Sequence, residues 1–347
     1  MAYTNIDDPS AYFQTAIYSG SNSLQAITND GNSDLKPDWL WIKQRNGTEN
    51  HMLVDSTRGV SKYLLSDTTT AEQTVTSRVE TLDTDGFTLN GASNPVNALG
   101  GTYVGWQWKA NGGTTVSNTD GDLRSVTVQA NQDAGFSIVR FLGGTTPYTA
   151  GHGLGVAPDV IISKRLGATV GWYVYHKDVG AGKYLQINNE NAAVTSATVA
   201  FTSAPTSTIF TGGTGVGGAT DYWINYCFAE KHGYSKFGSY IGNGFANGPF
   251  VYTGFKPAFV MQKRTNDVGG WNMVDNKRNV FNVADRRLFA DANNAESTTK
   301  TAFDFLSNGF KLRDSNSSLN ASGSTYIYMA FAENPFVTST GIPTTAR

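Results

Sequence analysis

The chain has 347 residues, of which 16% are charged, and its 26 basic and 28 acidic side chains give a formal net charge of −2. This balance lacks the excess of basic residues with which proteins follow a nucleic-acid backbone, so we expect no nucleic-acid partner. The single cysteine, Cys227, excludes an intrachain disulfide. No apolar stretch approaches the ~20 residues of a membrane helix, so we expect no membrane insertion.

From the N-terminus onward, one sequence pattern occurs three times. Each copy opens at a phenylalanine and reaches a proline 20 to 24 residues later; the pairs are Phe13 and Pro37, Phe136 and Pro158, and Phe237 and Pro257. An apolar run and basic residues follow each proline. Eighteen residues after each proline come Asp55, His176 and Asp275, with no gap in any copy. This constant spacing indicates an internal repeat.

The last segment of each copy shows which kind of element repeats. Apolar side chains occupy every second position in 103–108, 223–228 and 326–331. A period of two predicts strands that place one face on a core. The runs after the prolines are apolar at consecutive positions, which predicts strands covered on both faces. Frequent Gly and Asn turns between these segments are typical of antiparallel β-sandwiches.

The pattern predicts an all-β fold of three tandem homologous antiparallel β-sandwich modules, jelly-roll-like, with little helix. The expected divisions are module 1 at 1–110, a linker at 111–132, module 2 at 133–232, module 3 at 233–336 and a C-terminal tail at 337–347. The polar composition of 111–132 suggests the linker. The best candidates for a short helical turn are 71–82 and 295–306, although Thr and Val weaken both.

Catalytic sequence patterns are missing. The four histidines form no His-Glu-x-x-His motif, and neither Cys-x-x-Cys nor Gly-x-Ser-x-Gly occurs. The glycine-rich segment 151–155 leads toward a proline and a strand, so it reads as a turn and not as a phosphate loop. The acidic segments 83–86 and 120–122 read as turns and not as calcium loops. We therefore expect no catalytic, cofactor-binding or metal-binding residue and no enzymatic activity.

Five residues are candidates for a surface binding site: Trp172, His176, Trp271, Asp275 and Arg278. The two tryptophans lie fourteen residues after their prolines, where the first copy has His51. They are either stacking platforms for sugars or aromatic residues that fill a repeated core. Asp275 and Arg278 repeat the spacing of Asp55 and Arg58, which suits a local ion pair that holds a loop as well as a site.

Several segments carry a resemblance to a known family. They are 1–15, Ala134-Gly-Phe-Ser-Ile-Val, Gly151-His-Gly-Leu-Gly-Val-Ala-Pro, Gly233-Tyr-Ser-Lys-Phe-Gly-Ser-Tyr-Ile-Gly-Asn-Gly and Tyr326-Ile-Tyr-Met-Ala-Phe-Ala-Glu-Asn-Pro-Phe. In these segments the chain resembles repeat-containing proteins of tailed bacteriophages, especially marine ones, which are described as virion structural or tail-fibre proteins. The similarity runs from Met1 to Phe336. No catalytic residue comes with it.

The resemblance implies a protein of the virion surface. The expected role is a tail-fibre or tail-tip adhesin that binds a host-surface glycan or protein; the alternatives are a capsid decoration or other structural virion protein and, third, a polysaccharide depolymerase. Expected partners are other virion proteins of the capsid or tail lattice, and a homo-oligomer stays open. Residues 1–8 lack the charged and apolar regions of a signal peptide, so we expect synthesis in the host cytoplasm.

Overall fold

The protein is described by a computed structural model that covers residues 3–91, 95–123, 125–144, 146–217 and 220–344. Every strand pair in it is antiparallel, and the strands form several sheets. Helical structure is confined, in the described residues, to a 3₁₀ turn at Pro9–Ala11 and the single-turn helix α1 at Ser317–Asn320. The prediction of an all-β sandwich fold is thus confirmed.

The strands are given in chain order. The first nine are β1 (Phe13–Ser19), β2 (Gln25–Ile27), β3 (Trp39–Gln44), β4 (Met52–Asp55), β5 (Lys62–Tyr63), β6 (Gln73–Thr74), β7 (Val79–Leu82), β8 (Phe87–Leu89) and β9 (Thr102–Trp108). The next ten are β10 (Val116–Asn118), β11 (Val126–Asn131), β12 (Phe136–Leu142), β13 (Tyr148–Gly151), β14 (Val160–Arg165), β15 (Tyr173–His176), β16 (Lys183–Tyr184), β17 (Val194–Thr195), β18 (Ile209–Gly212) and β19 (Tyr222–Phe228). The last eight are β20 (Ser235–Ile241), β21 (Phe250–Tyr252), β22 (Phe255–Arg264), β23 (Asn272–Asp275), β24 (Leu288–Phe289), β25 (Phe303–Leu306), β26 (Gly309–Leu312) and β27 (Thr325–Pro335).

Three large sheets share one strand order. The first sheet is β1-β9-β3-β4, the second contains β12-β19-β14-β15, and the third contains β20-β27-β22-β23. The pairing register also corresponds, because Trp108, Phe228 and Phe331 lie opposite the first, second and third post-proline strands at Trp39, Val160 and Phe259. The common origin of the three copies stays a prediction.

The opening phenylalanines do not all correspond. Phe13 pairs with Trp108 and Phe136 pairs with Phe228, whereas the partner of Phe331 is Ser235. Phe237 therefore lies two residues further along its strand than the sequence alignment placed it. Because side chains two residues apart share a face of a strand, Phe237 still points into the same core as the other two phenylalanines.

Each large sheet packs one face against a small sheet. The small sheets are β2-β8-β7, β13-β18 and β21-β26-β25. Leu40 of β3, Ile161 of β14 and Val260 of β22 each belong to a separate apolar cluster shared with the facing small sheet. These three cores are the sandwich interiors that the consecutive apolar runs predicted.

The opposite faces of the large sheets meet in one central core. All nine alternating apolar side chains of the closing segments belong to it: Val104, Trp106, Trp108, Ile224, Tyr226, Phe228, Ile327, Met329 and Phe331. Ring centroids lie 4.2 Å apart for Trp39 and Tyr226, and 5.1 Å apart for Phe13 and Phe331. Fully burying one such side chain contributes roughly 1.5–3 kcal/mol, so the three sheets stabilise one another.

The two helix predictions are wrong. Segment 71–82 contains β6 and β7, and segment 295–306 contains β25. The β-branched residues Thr74 and Val79 lie in these strands, and such side chains fit a pleated sheet better than the turns of a helix.

The predicted linker is partly a pair of strands. β10 and β11 lie within 111–132, and β11 pairs with β12 at the edge of the second sheet. Val126 and Val128 alternate along β11 and are buried in the second sandwich core, which the polar composition around them obscured. In the predicted tail, Val337 forms a bridge to Pro343, and residues 345–347 lie outside the described part.

Candidate functional site

The five residues predicted to form a surface site are buried. Trp172, His176, Trp271, Asp275 and Arg278 are each at most 4% exposed. A ligand in solvent cannot reach them, so the surface-binding prediction at these positions is wrong. Their repeated spacing instead reflects contacts between neighbouring large sheets.

The two tryptophans and His51 each form a hydrogen bond to a different copy: the second copy bonds to the first, the third to the second, and the first to the third. Each directs a ring nitrogen to a backbone carbonyl at the end of β24 or two residues after β5 or β16. Trp172 Nε1, Trp271 Nε1 and His51 Nε2 lie 2.9, 2.9 and 2.8 Å from the carbonyl oxygens of Leu65, Gln186 and Phe289, respectively. These three bonds form a cyclic set, which supports the interpretation of the tryptophans as parts of a repeated core.

The pairs of aspartate and arginine are local ion pairs, as one of the two interpretations held. Arg278 Nε lies 2.6 Å from Asp275 Oδ2, and both side chains are fully buried. Trp106 of β9 donates its ring N–H to the same carboxyl oxygen at 3.0 Å. The pair thus holds its own loop and also joins the third sheet to the first.

Asp55 repeats this arrangement between the first and second sheets. Arg58 Nε lies 2.5 Å from Asp55 Oδ2, and the Tyr226 hydroxyl donates to that oxygen at 2.7 Å. Tyr226 and Trp106 occupy corresponding positions in β19 and β9, because they lie opposite Ile162 and Trp41 of the post-proline strands. The carboxylate therefore accepts a hydrogen bond from the next sheet in both cases.

His176 occupies the same position in the second copy, but it makes different hydrogen bonds. Its Nε2 lies 3.4 Å from the carbonyl oxygen of Tyr328, and its Nδ1 accepts the backbone N–H of Asp178. Burial lowers the pKa of His176 to about 4, so the ring is neutral at pH 7. Met329 stands in β27 where the other sheets have Trp106 and Tyr226, and a methionine cannot donate a hydrogen bond. A donor such as histidine replaces the carboxylate for this reason.

Three buried lysines form a set that the sequence analysis did not single out. Lys43, Lys164 and Lys263 are each the last residue but one of a post-proline strand. Burial lowers the pKa of each ammonium to about 8. Each donates to backbone carbonyls; the closest acceptors are Gln44, Val170 and Arg264, all at 2.6 Å. The basic residues after each apolar run were the available signal, and their role is to hold loops.

Among the described residues, no group of three His, Cys, Asp or Glu side chains could hold a metal ion. Cys227 is buried, and desolvation raises the pKa of its thiol well above the usual range. The described part of the chain also has no helix with the length and apolar character needed to span a membrane.

A groove of about 640 Å³ is the best candidate site. It lies between the N-terminal segment and the connection from β19 to β20. Its lining residues are Tyr3, Thr4, Asn5, Ile6, Tyr12, Asp133, Lys231 and His232. Thr4 Oγ1 donates to the carbonyl of His232 at 2.7 Å, and the Tyr3 and His232 rings meet edge to face. These contacts fix the N-terminal segment as one wall.

The groove combines aromatic rings with available polar groups. The side chains of Asp133 and Lys231 form no ion pair or hydrogen bond with another described residue. Burial and the Asp133 carboxylate raise the pKa of Tyr12 above its ordinary value. Aromatic faces beside a few polar groups suit a ligand with both apolar and hydroxyl surfaces.

Comparison with known proteins places the chain in a family. Residues 8–335 match the family described as "Domain of unknown function (DUF7483)". The chain belongs to this family. The DUF7483 match includes all three large sheets, and of the groove it includes Tyr12, Asp133, Lys231 and His232. No curated protein and no solved structure matches the chain.

Proposed function

We propose that this DUF7483 chain is a bacteriophage virion surface protein, of the tail-fibre or tail-tip adhesin type, that binds a host-surface glycan in the groove at Tyr12 and Asp133. The groove carries the proposal, because its aromatic rings offer stacking faces for sugar rings and its unpaired Asp133 and Lys231 offer an acceptor and a donor for hydroxyl groups. The resemblance to virion proteins of tailed bacteriophages is the reason for placing the protein on a phage particle.

The burial of the repeated polar residues supports binding over catalysis. Asp55, His176 and Asp275 are occupied by contacts between sheets. Glycoside hydrolysis uses two facing carboxyl groups, whereas Asp133 is the one carboxyl group among the residues that line the groove. A depolymerase is therefore the less favoured alternative.

A capsid decoration protein is the second candidate. Three sheets with one strand order surround a shared core, and such an arrangement would match a three-fold position of a capsid lattice. Labelled antibody on intact particles separates the two roles. Label at tail ends supports the adhesin, whereas label over the whole head supports decoration and contradicts the adhesin.

Binding to purified surface polysaccharide of the infected bacterium tests the groove. We expect Tyr12→Ala and Asp133→Asn each to weaken binding about tenfold, which corresponds to ~1.4 kcal/mol. Phe245→Ala is the matched control, because Phe245 is 69% exposed and lies outside the groove lining. Equal binding by all four proteins would contradict the groove assignment, and release of reducing ends by the wild type would favour the depolymerase.

A further inference from the structure

Strand β1 has a free edge. The Lys109 N–H donates to the Tyr12 carbonyl, and the Gly20 N–H donates to Gly101, so these residues face β9. Backbone groups alternate in direction along an antiparallel strand, and those of Phe13, Thr15 and Ile17 therefore point away from β9. Among the described residues, no hydrogen bond is formed by these outward groups.

The corresponding edge of the second sheet is occupied. The Ala229 N–H donates to the Gly135 carbonyl, which makes Gly135 the counterpart of Tyr12. The outward residues of β12 are then those that pair with β11. The pairs are Phe136 with Asn131, Ile138 with Gln129, and Arg140 with Thr127. The fold therefore already contains a strand at the position that is free beside β1.

The turn that the Gln129 side chain of β11 contacts also has a counterpart beside β1. Gln129 Nε2 donates to Thr57 Oγ1 at 2.6 Å and to Ser56 Oγ at 3.0 Å, in the turn after Asp55. The same turn of the third sheet, after Asp275, lies next to β1. Its residues Asn276 and Lys277 line two adjoining cavities of about 250 and 380 Å³. The space that β11 fills on the second sheet is thus a groove along the first.

The groove suits an uncharged segment. Ile17 is 47% exposed and Val280 is 66% exposed, and both line the larger of the two cavities. The charged groups that line the cavities are paired with each other: Lys277 Nζ lies 2.6 Å from Asp30, and Lys256 Nζ lies 2.5 Å from Glu333. An incoming segment would gain apolar contacts and backbone hydrogen bonds there, and would meet no unpaired ion among these lining residues.

We propose that β1 accepts an extended strand from a separate protein by antiparallel strand addition, in the place that β11 takes on β12. The occupant is a largely uncharged strand with β-branched or small side chains, as in β11. The chemistry of this occupant follows from β11, whose buried side chains Val126 and Val128 alternate along the strand, and from the exposed apolar residues Ile17 and Val280 that line the groove. This inference does not depend on the proposed glycan groove, which has different lining residues.

A fluorescent peptide of residues 125–132, which includes β11, is the probe, and fluorescence anisotropy measures its binding to the full chain. In register with β1, the backbone N–H of Gln129 would bond to the edge at Thr15, whereas that of Val128 would face solvent. We expect N-methylation at Gln129 to weaken binding at least about tenfold, and N-methylation at Val128 to change it less than about twofold. Equal effects of the two modifications would overturn the proposal.

A variant of the chain tests the same edge from the other side. Ile17→Pro removes an outward N–H and leaves the bonds to β9 intact, so it should abolish peptide binding without loss of the fold. Ser239→Pro is the control, because it lies at the corresponding outward position of β20. Absence of wild-type binding at ~1 mM peptide overturns the proposal. A concentration-dependent dimer that Ile17→Pro abolishes would make a second copy the occupant, and also overturns it.

Discussion

At the residue scale, the position eighteen residues after each proline shows how one site adapts to its partner. Asp55 and Asp275 accept hydrogen bonds from Tyr226 and Trp106, whereas His176 faces a carbonyl. The second copy differs for a packing reason, because the partner sheet offers a hydrogen-bond acceptor there and requires a donor.

Arg278→Met should strongly destabilise the protein. The substitution leaves the Asp275 carboxylate buried without its cation, and loss of one partner from a buried pair costs about 3–5 kcal/mol. The free energy of unfolding in urea, followed by tryptophan fluorescence, measures the effect. Arg286→Met is the control, since Arg286 is 44% exposed and also contacts Glu296; we expect a loss under ~1 kcal/mol. Similar losses in both variants would contradict the argument.

At the element scale, the closing strands show what a sequence period can reveal. Alternating apolar residues in β9, β19 and β27 correctly predicted one buried face. Their other face is buried as well, at Tyr103, Trp223 and Tyr326, because each strand lies inside a sheet with a core on both sides. The pattern identified the strands, and it could not show that one face belongs to a core shared by all three sheets.

Strand β11 gives an element-scale prediction. Gln129→Pro removes a backbone donor that faces β12 together with a side chain that contacts Ser56 and Thr57, so the free energy of unfolding should fall by about 3 kcal/mol. Ser117→Pro is the matched control, because its N–H lies on the outer side of the edge strand β10. If 111–132 were only a linker, the two prolines would have equally small effects on urea unfolding.

At the scale of the whole molecule, the central core makes the three sheets interdependent. Phe331 of the third sheet has ring contacts with Phe13 of the first and Phe228 of the second. Arg45 and Glu296 form a two-point ion pair that joins the first and third copies. Because of these contacts, we expect that the predicted modules do not fold independently.

Expression of residues 113–232 alone tests this interdependence. The isolated segment would expose Ile138, Ile162, Ile224, Tyr226 and Phe228, an apolar face that the full chain buries. We expect aggregation or strong binding of an apolar dye, and no cooperative thermal unfolding, in contrast to the full chain. A soluble monomer that unfolds cooperatively would show that the second copy folds without its neighbours.

Strand type, the three copies of the pattern and the inward faces could all be predicted from the sequence, because spacing and side-chain period are local properties. The sequence did not predict that Trp172, His176 and Asp275 are internal, that β11 pairs with the edge of β12, or that the N-terminal segment forms a groove with His232. These features depend on contacts between distant residues, such as Trp106 and Asp275, which are 169 positions apart. No local sequence pattern shows whether such a residue is buried or exposed.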